Sequence, residues 1–320
     1  MLSSSRHCAL ASTIMVLAVS ARAQAQQQAQ GFAVERFYSS APGAGWFVMD
    51  TLDMHGGLGG SLSLTVGYAR NPLHLTSSAQ GVAVVSDQAV MDVGAALTYD
   101  RWRVYLNLDA PLSILGQSGT VGAYSFTGPS VDLSSHPDTL SDARVGIDVR
   151  ILGGPTSQFR LGAGAQLLIP NGNRADYDTD DTFRGMGRLL FAGDAGAFSY
   201  AGQLGVHIRP LNDTPAPGSP RGSELLFGVA GGAKLPVGRS RSMAVIVGPE
   251  IFGATAFRSF FDSNSTALEG LLSARLEGIG ANGAQLRVKL GAGAGINQQF
   301  GAPQWRIVCG IEVFNHNHGP

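Results

Sequence analysis

The sequence predicts an all-β fold, a transmembrane antiparallel up-and-down β-barrel of about 12 strands. Three observations carry this: an export signal at the start, side-chain alternation of period two along most of the chain, and connections that alternate between long and short.

The export signal comes first. Arg6 and His7 form a short basic start, and Cys8 to Ser20 is apolar. Ala21-Arg22-Ala23 and Ala23-Gln24-Ala25 both fit the small-residue cleavage pattern. Residues 1–25 are therefore expected to be a secretory signal peptide. The apolar stretch is shorter than the roughly 20 residues a spanning helix needs. Cys8 stands at the start of that stretch instead of following it, so it is not a lipidation site. Removing the signal leaves Cys309 alone, and no disulfide can form within the mature chain.

Composition agrees. The chain has 44 Gly, 14% charged residues and a mean hydropathy of +0.10. Soluble domains carry about 25% charged residues. Yet no mature segment is apolar for the roughly 18 residues that mark a membrane helix. Low charge without apolar runs suits strands that alternate lipid-facing and lumen-facing residues. A net charge of −1 gives no electrostatic footprint for nucleic acid, which is not expected as a partner.

The alternation is clearest in residues 61–69. Leu62, Leu64, Val66 and Tyr68 take one face, and Ser61, Ser63, Thr65 and Gly67 the other. In residues 143–151, Val145, Ile147 and Val149 alternate with Arg144, Asp148 and Arg150. Strands are expected near 61–70, 89–99, 102–111, 142–152, 158–168, 185–193, 197–209, 223–235, 242–253, 266–277, 284–296 and 303–314. Residues 80–86 or 45–50 could add a short one.

Long connections are expected at 71–88, 112–141, 169–184, 210–222, 254–265 and 297–302. Between them fall short ones, such as Asp100-Arg101 and residues 236–241. Outer-membrane barrels have short periplasmic turns and long extracellular loops. Both chain termini are thus expected in the periplasm. Trp102, Phe198 and Tyr200 at one end, and Phe257, Phe260 and Phe261 at the other, suit two aromatic girdles. The domain plan is a signal (1–25), a periplasmic or plug segment (26–60), the barrel (61–314) and a tail (315–320).

These segments resemble the outer-membrane barrel domain of the myxobacterial and deltaproteobacterial OmpA-type family. The likeness lies in FAVERFYSSAPG (32–43), GYARNPLHL (67–75), IPNGNRADYDTDDTFRG (169–185), GSELLFGVAGG (222–232) and VGPEIFG (247–253). It covers nearly all of the mature chain. In that family a peptidoglycan-binding domain often follows the barrel. This sequence stops at Pro320, so the resemblance does not imply peptidoglycan anchoring.

Catalytic and metal chemistry is weakly marked. Barrel phospholipases resemble one another in a His and a Ser ten positions apart. Ten residues beyond His55, His74, His136 and His207 stand Thr65, Val84, Gly146 and Pro217. A lipid hydrolase is therefore the least favoured function, and neither an enzyme nor a cofactor is expected. Asp176, Asp178, Asp180 and Asp181 offer alternating oxygens that could wrap calcium, but a solvated acidic loop explains them as well. His316 and His318 read as a polar tail rather than a metal chelate.

Charge collects on the face opposite the lipid stripe. Arg103, Asp109, Arg144, Asp148, Arg150, Arg160, Arg188, His207, Arg209, Glu224, Arg287, Lys289, Arg306 and Glu312 are expected to line the lumen. So are Lys234, Glu250, Glu269 and Arg275. Arg or Lys on the lipid side would cost about 2–4 kcal/mol at midplane. Cations facing water would favour anions. Pairing with carboxylates would instead close the barrel. Small residues on the same face (Gly162, Gly164, Gly228, Gly232 and Gly291) leave room for a path or a plug. Residues 32–60, with Phe32, Val34, Phe37, Trp46, Phe47 and Met49, are too apolar for a free tail. They could fill the lumen, cover its periplasmic mouth or add a strand.

The expected function is a passive outer-membrane channel or carrier for small solutes, with a modest anion preference. The alternative is a closed structural or surface-display barrel. Expected partners are outer-membrane lipid and lipopolysaccharide, the barrel assembly machinery and a small solute. Cysteines placed at Ser134 or Thr179 are expected to label in intact cells, and one at Ser240 to stay unlabelled. The reverse pattern would invert the topology.

Overall fold

Lipid outside and packed polar groups inside force each strand to sort its side chains by parity. The computed structural model describes residues 27–54, 56–76, 81–133, 140–211, 222–238, 243–281 and 284–316. Twelve strands form the wall. They are β1 Leu58–Thr76, β2 Gly81–Tyr99, β3 Trp102–Leu115, β4 Ala143–Leu152, β5 Arg160–Ile169 and β6 Arg184–Ala195. They continue as β7 Phe198–Ile208, β8 Glu224–Val237, β9 Met243–Ala256, β10 Thr266–Ala281, β11 Ala284–Asn297 and β12 Trp305–His316. Every neighbour pairs antiparallel, and β12 returns to β1 from Trp305↔Arg70 to His316↔Gly59. The closed ring satisfies its backbone without a sheet edge, as a hydrocarbon environment requires.

Burial follows parity. On β4, Arg144, Asp148 and Arg150 are buried while Val145, Ile147 and Ile151 are exposed. Leu62, Leu97, Leu189, Leu204, Leu272 and Leu290 are likewise exposed around the wall. Tyr99, Trp102, Phe159 and Phe198 ring the short-turn end. At the long-loop end Phe257 stacks on Phe260, whose centroid lies 4.4 Å from that of Phe261. A closed barrel with this exterior resides in the outer membrane.

The long-loop end departs from the sequence reading. β1 and β2 each run 19 residues, beyond the roughly 9–11 that a membrane strand needs. Residues 71–88, expected as a loop, are mostly paired strand, from Leu73↔Val85 to Thr76↔Gly81. Residues 81–86 are thus the outward end of β2 and not a separate strand. A register shift between Arg70 and Leu73 breaks the parity there. Leu73, Val82, Val84 and Val85 then turn onto Ile114, Val121, Phe126 and Val131, forming a second apolar core above the wall.

The N-terminal end is also relocated. Gln27–Gln28 pairs in parallel with Tyr124 and Ser125, within the loop between β3 and β4. This is the long-loop end, whereas β12 finishes at the short-turn end. The expectation that both termini share the short-turn side is therefore corrected. Residues 45–50 form no strand, only one bridge between Gly45 and Asp50. The signal segment 1–25, His55, Ser134, His136, Ser240 and His318 lie outside the described residues.

Leu204 sits near the middle of β7 and faces lipid. Leu204→Arg is expected to lower unfolding stability in lipid vesicles by about 2–4 kcal/mol, as charge at midplane does. Denaturant titration measures it, and an unchanged midpoint would place Leu204 away from the hydrocarbon.

Candidate functional site: a lumen filled by the N-terminal segment

Between Gln28 and β1 the chain runs the length of the lumen as irregular backbone. Such backbone is tolerated inside a membrane only where protein or cavity water satisfies it. Here the loop 170–183 and then the wall do so in sequence. Near the long loops, Gly31 O accepts from Arg174 Nε at 2.6 Å, and Ala33 N–H donates to Asp180 at 2.9 Å. Arg144 donates to Ser39 O at 2.8 Å. Deeper, both Glu250 carboxylate oxygens accept backbone bonds, from Phe47 and Val48, each at 3.0 Å. Toward the short turns, Arg150 donates to Leu52 O and Met54 O.

Side chains complete the fit. Trp46, Phe47, Met49, Leu52 and Met54 pack against Leu190, Ala230, Ile246, Phe252, Leu271 and Val308. Burying one such side chain is worth about 1.5–3 kcal/mol. The space comes from wall glycines. A Cβ on Gly232 would stand 2.9 Å from Trp46 Cη2, and one on Gly94 2.6 Å from Pro42 Cγ. Wall cations lie over plug rings: Arg275 is 4.3 Å from the Trp46 centroid and Arg306 4.7 Å from Phe37.

The plug also brings charge. Asp50 accepts from Arg103 at 2.9 Å, Glu35 from Arg306 at 3.0 Å, and Asp53 lies 3.6 Å from Arg287. Arg36 reaches Glu224 at 2.9 Å. The remaining lumen residues pair across the wall. Arg188 meets Asp148 at 3.0 Å, and Arg144 meets Asp92 at 2.8 Å and Asp109 at 3.5 Å. Arg209 bridges Asp180 and Glu224, and Arg287 and Lys289 share Glu312. Arg306 also holds Glu269, Arg275 holds Glu277, and Arg160 reaches Asp194 near the short turns. His207 is buried, edge-on to Tyr38, with Nδ1 3.6 Å from Glu224. Lys234 is exposed at the short-turn end.

Sequence reasoning passed over Glu35, Asp50 and Asp142 as partners. Asp142 pairs with Arg184 at 2.5 Å. The usable signal was present for the first two. A carboxylate in an apolar stretch bound for the lumen needs a cation to offset its desolvation.

Residues 170–183 fold over the long-loop mouth. Asn173 caps a short turn, Arg174–Asp176, by accepting from the Ala175 amide. Thr179 is fully buried, which corrects its choice as a labelling site; Ala175 is exposed in the same loop. The proposed calcium set does not converge. Asp180 is committed to Arg209 and Ala33, and Asp178 to the Asn173 amide and Ser141. No group of three metal-ligating side chains comes together among the described residues. Burial would raise Asp180, but Arg209 and Arg184 hold its carboxyl below the usual range. Burial pushes Asp178 up to about 7, with Asp176 and Asp142 adding repulsion.

No family model matches the chain, and no curated protein does. Among solved structures, an outer membrane channel from Pseudomonas putida F1 superposes with a TM-score of 0.51 at 14% identity. That match covers 82% of this chain and 95% of the other. The NanC porin aligns over 80% of this chain and 99% of its own, with 9% identity and a TM-score of 0.46. The first likeness shows the barrel fold alone.

Asp178 has a folded pKa above its unfolded value, so folding favours its protonated form. Its contribution is most favourable below pH 4 and is lost as pH rises toward 7. Asp178→Asn is expected to remove that part of the pH dependence. The stability difference between variant and parent should grow in the variant's favour from pH 4 to pH 8 in thermal unfolding. A difference independent of pH would refute the assignment.

Proposed function

We propose that this outer-membrane barrel is a passive channel for small solutes, closed by its own N-terminal segment. One observation carries the reading. A single contiguous stretch, residues 31–54, runs through the lumen and supplies most of its buried aromatic side chains, packed among the wall's ion-paired groups. A wall that gives up side-chain volume, as at Gly94 and Gly232, keeps a bore that opens when the segment leaves. The long loops face outward, and assembly uses the barrel assembly machinery in a membrane of lipid and lipopolysaccharide. The quoted motifs favour the OmpA-type barrel family of myxobacteria and related bacteria.

Release of the plug supports the modest anion preference. Arg103, Arg306 and Arg287 then each lose a carboxylate, Asp50, Glu35 and Asp53. In return, Glu224 loses Arg36 but keeps Arg209. The opened wall gains positive character, which lowers the barrier for anions. No catalytic step is part of this reading. The second reading, a closed barrel that displays its loops, is favoured by the ion pairs and apolar contacts along the whole plug.

Planar-bilayer conductance separates the two. The intact protein is expected to be nearly silent, and a variant lacking residues 32–54 to conduct with reversal potentials shifted toward chloride. Gly232→Phe, aimed at Trp46, should conduct intermittently. Silence from all three, with heat-modifiable migration confirming folding, would leave the display barrel. Cation selectivity would overturn the charge argument.

A further inference from the structure

The long-loop half of the plugged lumen encloses a cavity of about 60 Å³ between plug residues 33–39, the wall and the loop 170–183. Its surroundings are short of positive charge. Asp92 on β2 and Asp109 on β3 are direct cross-strand partners. Like charges in that relation repel. One guanidinium serves both, Arg144, at 2.8 Å from Asp92 and 3.5 Å from Asp109. Asn107 also donates to Asp92, so Asp109 is the less satisfied of the two. Arg306 is divided in the same way between Glu35 and Glu269.

A separate observation points the same way. Gln88 is 4% exposed and lines this cavity, and its Oε1 has no hydrogen-bond partner. The Tyr38 hydroxyl, on the plug side of the cavity, has none either. Buried acceptors without donors are costly. Excess carboxylate beside unpaired oxygens calls for a ligand that is both cationic and a hydrogen-bond donor.

We propose that this cavity binds a small primary ammonium ion, which supplies the charge that Asp109 lacks and the donors that Gln88 and Tyr38 lack. The rest of the lining selects an organic cation over a metal. Phe37, Val90 and Leu168 offer apolar surface to a short alkyl group. Calcium needs six to eight oxygens, and no three metal-ligating side chains converge among the described residues. Glu35 and Tyr38 belong to the plug, so the complete site exists only with the plug seated. By mass action, the bound ammonium therefore stabilises the closed form. The site does not depend on whether the lumen conducts.

Calorimetric titration of the intact mature protein in detergent with ethylammonium chloride tests this. Saturable binding is expected. Asp109→Asn and Gln88→Leu should each weaken it about tenfold or more, the worth of one charge-assisted hydrogen bond. Tyr38→Phe lies on the plug and leaves the wall pairs intact, so it provides the same test if a wall variant does not fold. Potassium at equal concentration should not displace the ligand. The proposal fails if no saturable heat is seen, if the folded variants bind as well as the parent, or if potassium competes equally.

Discussion

The structure depends on one constraint: charge cannot face hydrocarbon. Every strand must therefore turn its arginines and carboxylates inward, whatever the protein does. Once inside, those groups are removed from bulk water, and a buried charge persists only if paired. The lumen has to be an ion-pair lattice. Arg144 between Asp92 and Asp109, and Arg209 between Asp180 and Glu224, are local solutions to that problem.

The plug is the remainder of the same solution. Where inward wall positions are glycine, as at Gly94 and Gly232, the wall leaves space that its other side chains do not fill. Residues 31–54 supply apolar volume through Trp46, Phe47 and Met49, and charge through Glu35 and Asp50. The two contributions differ in kind. Apolar burial is non-directional and favours filling the bore. The backbone bonds to Glu250 and from Arg150 set where along the bore each plug residue sits. Removing one partner of a buried pair exposes the other's desolvation cost, so the plug is bound by many terms that fail together.

Much of the wall was legible in the sequence. β4 was expected at 142–152 and occupies 143–152, and β10 was placed correctly at Thr266. Two-period alternation is enforced by lipid along the membrane-spanning length, so it can be read locally. It fails where that enforcement ends. Above the membrane, Leu73 and Val85 bury against loop residues, and the shift after Arg70 breaks parity. A paired ribbon there looked like a loop. Asp180 read as part of a solvated acidic stretch because its arginine partners, Arg184 and Arg209, reach it through the fold.

The sequence by itself determined a barrel of about twelve strands (the structure set the count at twelve), the lipid-facing stripe and the inward placement of charge. Each follows from residue type and parity against a fixed external solvent. Only the tertiary structure decided which guanidinium meets which carboxylate, and that Gln27 lies among the long loops while β1 begins at the opposite end. Those outcomes depend on contacts between residues far apart in the chain. The plug has no repeating backbone pattern, so its path is set by whichever wall groups satisfy its amides and carboxylates, and no local periodicity encodes it.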